Sequence, residues 1–286
     1  MFNGMWQLTE KIEAGNGFYT FFRKTPSQVT IAGQWFDTSM SPGNPPPQYY
    51  AASPLAAQQM RLSTDGGIRH GNSISPSVKH LESFLLMSTS ATGLPMTWHL
   101  CDYLLYYPFV DTGTTDPQVM TNTNTLPRYT DGLGCQVMVV SVASSTGLQP
   151  TFSMSYTNSD GVAERTSATV TLSTSTINGG IMTNDQTAAI TQLPFMPLQS
   201  GDKGVRSIES VTFLSGTDVG LLAFVIVKPL ITSTLIEQTA PCEVVCLSHQ
   251  SSLPIIYDDA FLSLLVCPQG SLSGVTLLGE IQTIWN

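Results

Sequence analysis

The sequence predicts a mainly β protein: an antiparallel β-sandwich or jelly-roll-like body with an extended N-terminal arm and one or two short helices. Three observations lead there. From about residue 133, apolar residues alternate with Ser and Thr, the period of a strand with one covered face. Gly, Pro and Asp punctuate that region at short intervals, as they do between the short strands of sandwiches. Before residue 60 the chain instead mixes large aromatics with turn formers and the triple Pro45-Pro46-Pro47. Proline fixes φ and removes a donor, so a regular sheet is not expected there. These changes of texture divide the chain into an arm at 1–60, a connecting region at 61–132 and a body at 133–286.

The arm holds Phe21, Phe22, Trp35, Phe36, Tyr49 and Tyr50. A solvated linker would be poor in aromatics, so this segment is expected to bury its rings against its own body or a neighbouring subunit. Aromatics dominate interface energetics, which makes Trp35, Phe36, Tyr49 and Tyr50 the candidate interface anchors.

Two helices are expected in the connecting region. In "SPSVKHLESFLL" (75–86), Val78, Leu81, Phe84 and Leu85 form an apolar stripe with Pro76 in the first turn. In "LPMTWHLCDYLLYYP" (94–108), Trp98, Cys101, Leu104 and Leu105 share a stripe that stops at Pro108. In the body, Phe152, Met154 and Tyr156 alternate with hydroxyl residues, and after Asn158–Gly161 the pattern resumes with Ala168, Val170 and Leu172, as in an antiparallel hairpin. Further strands are expected at 135–143, 207–214, 220–228, 242–248, 261–267 and 274–284. No fixed-period repeat is present.

Only 11% of the residues are charged, against roughly 25% in ordinary soluble domains. A surface of hydroxyls and amides suits a chain whose outside is covered by partners, or an extracellular or virion β protein. The net charge of −9 is unevenly spread: the first 80 residues carry six basic and four acidic groups, the remainder five and sixteen. Direct nucleic-acid binding is therefore not expected, because it needs clustered Lys and Arg. The opening "MFNGMWQLTEKIEAG" lacks the pattern of an export signal. The most apolar run, from Gly220, is interrupted by Lys228 and Pro229, well short of the ~20 residues of a membrane helix. A soluble chain made in a cytoplasm is expected, with no membrane contact and with its five cysteines reduced.

Several strings could carry chemistry. Asp111-Thr112-Gly113 has the local form of an aspartic-protease carboxylate, but that reaction needs two carboxylates sharing a proton. No second D-[ST]-G exists; "FDTSM" at Asp37 and "TDGL" at Asp131 only approach it. Pro108, read as a helix end, also places Asp111 after a helix rather than a strand. A turn, with the Asp side chain bonding its own backbone and Gly at positive φ, is the preferred reading. Cys242, Cys246 and His249, with Cys267, could be drawn as a zinc site. On a strand, however, positions i and i+4 stand roughly 13 Å apart, so small buried residues are expected instead. The glycine-rich "STDGGIRHGN" (63–72) could cradle an anion but lacks the lysine and preceding strand of a phosphate loop. Asp258-Asp259 could approach calcium, although adjacent carboxylates point apart on extended chain. His70, His80, His99 and His249 are scattered, with no nucleophile elbow among them. No catalytic residue, metal or cofactor is assigned.

Four phrases resemble, as a set, virion structural proteins of tailed bacteriophages, of the capsid-associated decoration or minor-head kind. They are "GQWFDTSMSPGNPPPQYYAASPL" (33–55), "IRHGNSISPSVKHL" (68–81), "LCDYLLYYPFVDTGTTDPQVMTNTNTLPRYTDGLGCQVMVV" (100–140) and "LLGEIQTIW" (277–285). The resemblance implies a head component assembled in many copies and without enzyme activity. The expected role is a capsid cement protein, located in the virion, whose partners are the major capsid protein and copies of itself in a homo-oligomer. A tail or fibre protein that recognises carbohydrate is the alternative, with "QYYAAS" and "NTNTLPRY" as its candidate loops.

Overall fold

The computed structural model of the chain describes residues 5–183, 194–238, 240–249 and 253–286. In chain order its elements are α1 (Met5–Glu13), β1 (Gly17–Lys24), β2 (Phe36–Asp37), a 3-10 turn (Thr38–Met40), β3 (Gly43–Asn44), β4 (Gln58–Gln59) and α2 (Leu62–Asp65). Next come β5 (Lys79–Ser88), β6 (Met96–Asp111), β7 (Gln118–Val119), β8 (Gln136–Ala143), β9 (Thr151–Asn158), β10 (Arg165–Thr166), β11 (Val170–Thr171) and β12 (Val205–Ser215). The chain closes with β13 (Leu221–Leu235), β14 (Cys242–Val245), α3 (Cys246–His249), β15 (Ile255–Ile256), β16 (Phe261–Cys267) and β17 (Leu277–Trp285).

The strands make three antiparallel sheets, consistent with a β-sandwich. The central sheet runs β2-β16-β6-β13-β8 with β4 on β6; the first flanking sheet runs β14-β5-β17-β1-β3 with β15 on β5; the second runs β10-β9-β12-β7 with β11 on β9. β6 and β13 are 16 and 15 residues long, roughly 50 Å at strand rise, enough to lie under both flanking sheets. Met96, Trp98 and Leu100 of β6 pack against Phe84 and Ile281 of the first flanking sheet, while Leu105, Tyr107 and Val110 pack against Phe152 and Phe213 of the second. Cys101, Tyr103 and Tyr106 point to the opposite face, where Trp35, Tyr50, Met60 and Ile181 cover them. The central sheet is thus buried on both sides.

That double burial overturns the two expected helices. Residues 79–88 and 96–111 are strands, and from Leu100 to Pro108 no residue of β6 is exposed. A strand covered on both faces reads as a continuous apolar run, which spacing alone does not separate from a buried helix. Pro108 does not end the element either: its carbonyl accepts from Leu55 N at 2.9 Å and the strand continues to Asp111. The short helices lie elsewhere, at α1, α2 and α3. The body strands fall close to the expected positions, except that 242–248 turns from strand into α3 at Cys246, and that Ala168 faces solvent.

The arm at 1–60 is woven into the sheets. β1 pairs with β17 over its whole length, from Gly17↔Ile284 to Lys24↔Leu277, and β2 and β4 pair with β16 and β6. Residues from all three expected segments therefore share single sheets. No helix among the described residues is long and apolar enough to cross a membrane.

Candidate interaction surface

Three of the four expected interface anchors lie inside the chain's own core. Trp35 stacks on His99 with ring centroids 4.8 Å apart, and burial pushes His99 down to about 4. Phe36 sits in β2 opposite Val266. Tyr50 is fully buried, and its hydroxyl donates to Asp37 Oδ2 at 2.6 Å. Tyr103 OH and Ser39 N donate to the other oxygen at 2.7 and 2.9 Å, and Ser39 Oγ adds a fourth bond at 2.6 Å. Burial raises the Asp37 pKa, and these donors oppose the rise. An unsatisfied buried carboxylate would be costly, so this node fixes the 36–50 segment on the central sheet. Lys24, buried beside it, donates to the carbonyls of Ser41 and Ser39 at 3.1 and 3.3 Å, and burial lowers it to about 8. Only Tyr49, 60% exposed, remains on the surface.

A second buried node comes from the "LPRY" phrase. Arg128 Nε and Nη2 grip Asp102 at 2.8 and 2.7 Å; Nη2 also reaches the carbonyls of Met60 and Tyr103 at 3.0 and 2.9 Å, and Nη1 that of Asp259 at 3.0 Å. Burial pushes Asp102 up to about 6 against the pull of the guanidinium. Neither residue was singled out from the sequence. The available signal was a lone Asp in the apolar run "LCDYLLYY", since a charge in such a run must find a partner.

The glycine-rich 63–72 loop is pinned rather than open around His70. His70 Nε2 lies 3.0 Å from Ala260 O, and its Nδ1 lies 3.4 Å from the ammonium of fully buried Lys79. Burial first, and Lys79 second, lower His70 to about 4. Lys79 also donates to Asn72 O at 2.9 Å and pairs with Asp258 at 3.3 Å. Asp258 and Asp259 hold different loops, accepting from Ser73 and Ser63 respectively.

Asp111 is the last residue of strand β6 and does not follow a helix, so the helix-end objection to a protease does not hold. Its Oδ1 accepts from Gly113 N at 2.7 Å, the side-chain-to-backbone turn expected here. Gly113, however, is not among the residues at positive φ. Cys242 Sγ contacts Ser233 Oγ at 3.1 Å, while His249 Nδ1 accepts from Val245 N at 3.1 Å. Among the described residues no three His, Cys, Asp or Glu side chains are grouped to hold a metal. His99 and His249 do share the lining of a hollow of about 600 Å³ beside Glu243.

The exposed counterpart of the buried anchors is on β1. Along this strand Phe22 and Lys24 turn inward, while Tyr19 and Phe21 face outward and are each 66% exposed. Register sets Gln282, Glu280 and Leu278 of β17 beside Tyr19, Phe21 and Arg23, and then Ser83, Leu85 and Met87 of β5 beyond them. The result is a sheet face with two exposed rings, aliphatic neighbours and the carboxylate of Glu280, with that of Glu243 on β14 farther along the same row. It can dock a surface through rings and hydrogen bonds; it carries no paired acid and base. Sequence reasoning placed Phe21 in the arm but did not mark it or Tyr19 as anchors.

No protein-family model matches the sequence, and no curated protein does. Among solved structures, the chain aligns weakly with infectious bursal disease virus particles. The Gt strain structure has 9% identity and a TM-score of 0.17, with 94% of this chain and 81% of that chain covered. A VP2 subviral particle has 10% identity and a TM-score of 0.16, with 95% and 82% covered. T=1 particles derived from the virus have 10% identity and a TM-score of 0.18, with 95% and 79% covered. Likenesses this slight carry no argument about fold or role.

Proposed function

We propose that the protein is a structural component of a virus particle and, more finely, a cement protein that binds and reinforces the capsid lattice of a tailed phage. The observation that carries this reading is the outward face of β1, where Tyr19 and Phe21 stand 66% exposed on an ordered sheet. A chain with so few charges and two exposed surface rings is suited to lie against other subunits. In this reading the partners are the major capsid protein and copies of the same chain, the location is the virion, and no catalytic step is assigned. Buried apolar area contributes about 25 cal/mol per Å², so a modest contact repeated over a symmetric shell braces it collectively.

The test is co-sedimentation of the purified protein with empty capsids, using wild type and the double variant Tyr19→Glu with Phe21→Glu. Binding by wild type and its loss in the variant support the reading; absence of capsid binding by wild type rejects it. Binding to a glycan array would move the assignment to a host-recognition protein of the tail or fibre.

A further inference from the structure

β1 is paired along one side only for most of its length. Its ladder with β17 runs without a shift, and Trp285 N donates to Asn16 O at 3.1 Å, so the even-numbered residues bond toward β17. Hydrogen-bonding direction alternates along an antiparallel strand. The N–H and C=O groups of Gly17, Tyr19, Phe21 and Arg23 therefore point to the other edge. On that edge β3 meets only Arg23 and Lys24, and Thr25 N reaches Pro42 O at 2.8 Å. After Asn44 the chain turns into Pro45-Pro46, which have no donors with which to continue the ladder. Among the described residues, Gly17, Tyr19 and Phe21 are left with an open backbone edge.

Beside that edge lies a groove of about 490 Å³, with Phe18 and Thr20 of β1 on one side and Leu62, Gly67 and Arg69 on the other. Gly71, at φ +90, holds the 66–72 loop close to the strand: a Cβ there would lie 3.2 Å from the Phe18 ring. Arg69 is exposed and forms no ion pair with a described residue. Nor is the edge guarded in the usual way. Natural edge strands carry charges or prolines that deter pairing, whereas Gly17 to Phe22 carry neither.

We propose that this edge accepts one extended polypeptide strand from a partner protein, lying in line with β3 and carrying a carboxylate for Arg69. The outward N–H and C=O groups of Gly17, Tyr19 and Phe21 would bond its main chain, and its alternate side chains would enter the groove. Arg69 is the one charge in the groove lining, so complementarity selects an acidic residue at an inward position. This goes beyond the virion reading and stands apart from it, because peptide binding can fail while capsid binding persists, and the reverse.

The test pans a heptapeptide phage-display library on the purified full-length protein and measures the enriched peptide, synthesised with a fluorophore, by anisotropy. Tyr19→Pro removes an outward N–H without touching the β17 ladder and should weaken binding roughly tenfold. Tyr19→Ala keeps the backbone edge and should weaken binding less than Tyr19→Pro does. Arg69→Glu should also weaken binding. If Tyr19→Pro does not fold, hydrogen exchange at the Tyr19 and Phe21 amides of wild type, with and without peptide, gives the answer: both should slow on binding. The proposal is overturned if no peptide is enriched, if Tyr19→Pro binds as well as wild type, or if those amides exchange unchanged. It is also overturned if the protein self-associates through this edge, which would assign the slot to a second copy.

Discussion

Two sheet faces in this molecule are furnished with aromatics from the same N-terminal stretch, and they meet opposite fates. The second face of the central sheet is closed by Trp35, Tyr50 and Met60, all under 10% exposed, whereas the outer face of the first flanking sheet presents Tyr19 and Phe21 at 66%. Ring content does not distinguish them. The polar partners do: Tyr50 OH has Asp37 and Trp35 has His99, fixed by the central sheet, while the neighbours of Tyr19 and Phe21 on β17 are Gln282 and Glu280 in a half-exposed row. An aromatic, proline-rich segment can therefore supply both internal cover and exposed surface.

The comparison breaks most visibly under truncation. Deleting 1–60 removes β1 to β4 together with the cover of the central sheet, and the remaining chain should lose its cooperative thermal transition; a sharp melt would show the segment to be dispensable. Next in size, Tyr50→Ala or Trp35→Ala should cost roughly 3–5 kcal/mol in chemical denaturation. Arg128→Met should cost a similar ~3–5 kcal/mol, because it strands Asp102 without its partner.

A pH effect follows. His70 and His99 fall to about 4 in the folded chain, against ~6.5 unfolded. Between those values the unfolded state binds more protons, so their contribution is present above pH ~6.5 and is lost as pH drops toward 4, by roughly 1–3 kcal/mol each. Asp37 and Asp102, raised by burial, act in the opposite sense as pH rises through their folded values. Comparing denaturation midpoints of His99→Gln and wild type at neutral and acid pH isolates the histidine: the variant should lose less on acidification. Smallest of all, Tyr19→Ala and Phe21→Ala should each change stability by under ~0.5 kcal/mol while reducing capsid co-sedimentation. Equal loss of stability at Tyr19 and Tyr50 would erase the contrast between the two faces.

How much of this was legible in the sequence depended on burial. Strands with one wet face, such as β9 with Phe152, Met154 and Tyr156 facing in, show their period directly. β6, covered on both faces, shows only an apolar run, and β5 imitates a helical stripe because Leu81 and Phe84 happen to be three apart. β1 was hidden differently: its partner β17 lies some 250 residues away, and no local pattern announces so distant a pairing. The Arg128–Asp102 clamp spans only 26 residues, yet its sole local sign was a charge amid apolar neighbours. The Asp111 turn was legible because its hydrogen bond to Gly113 spans two residues.

The central claim is that Trp35 and Tyr50 belong to the chain's own core while Tyr19 and Phe21 are the surface that docks. Hydroxyl-radical footprinting of the free protein and of the protein bound to capsids measures this most directly. The account predicts that Tyr19 and Phe21 are labelled in the free protein and protected on the particle, with Trp35 and Tyr50 unlabelled in both. Labelling of Trp35 and Tyr50 in the free protein, or equal labelling of Tyr19 and Phe21 in both states, would contradict it.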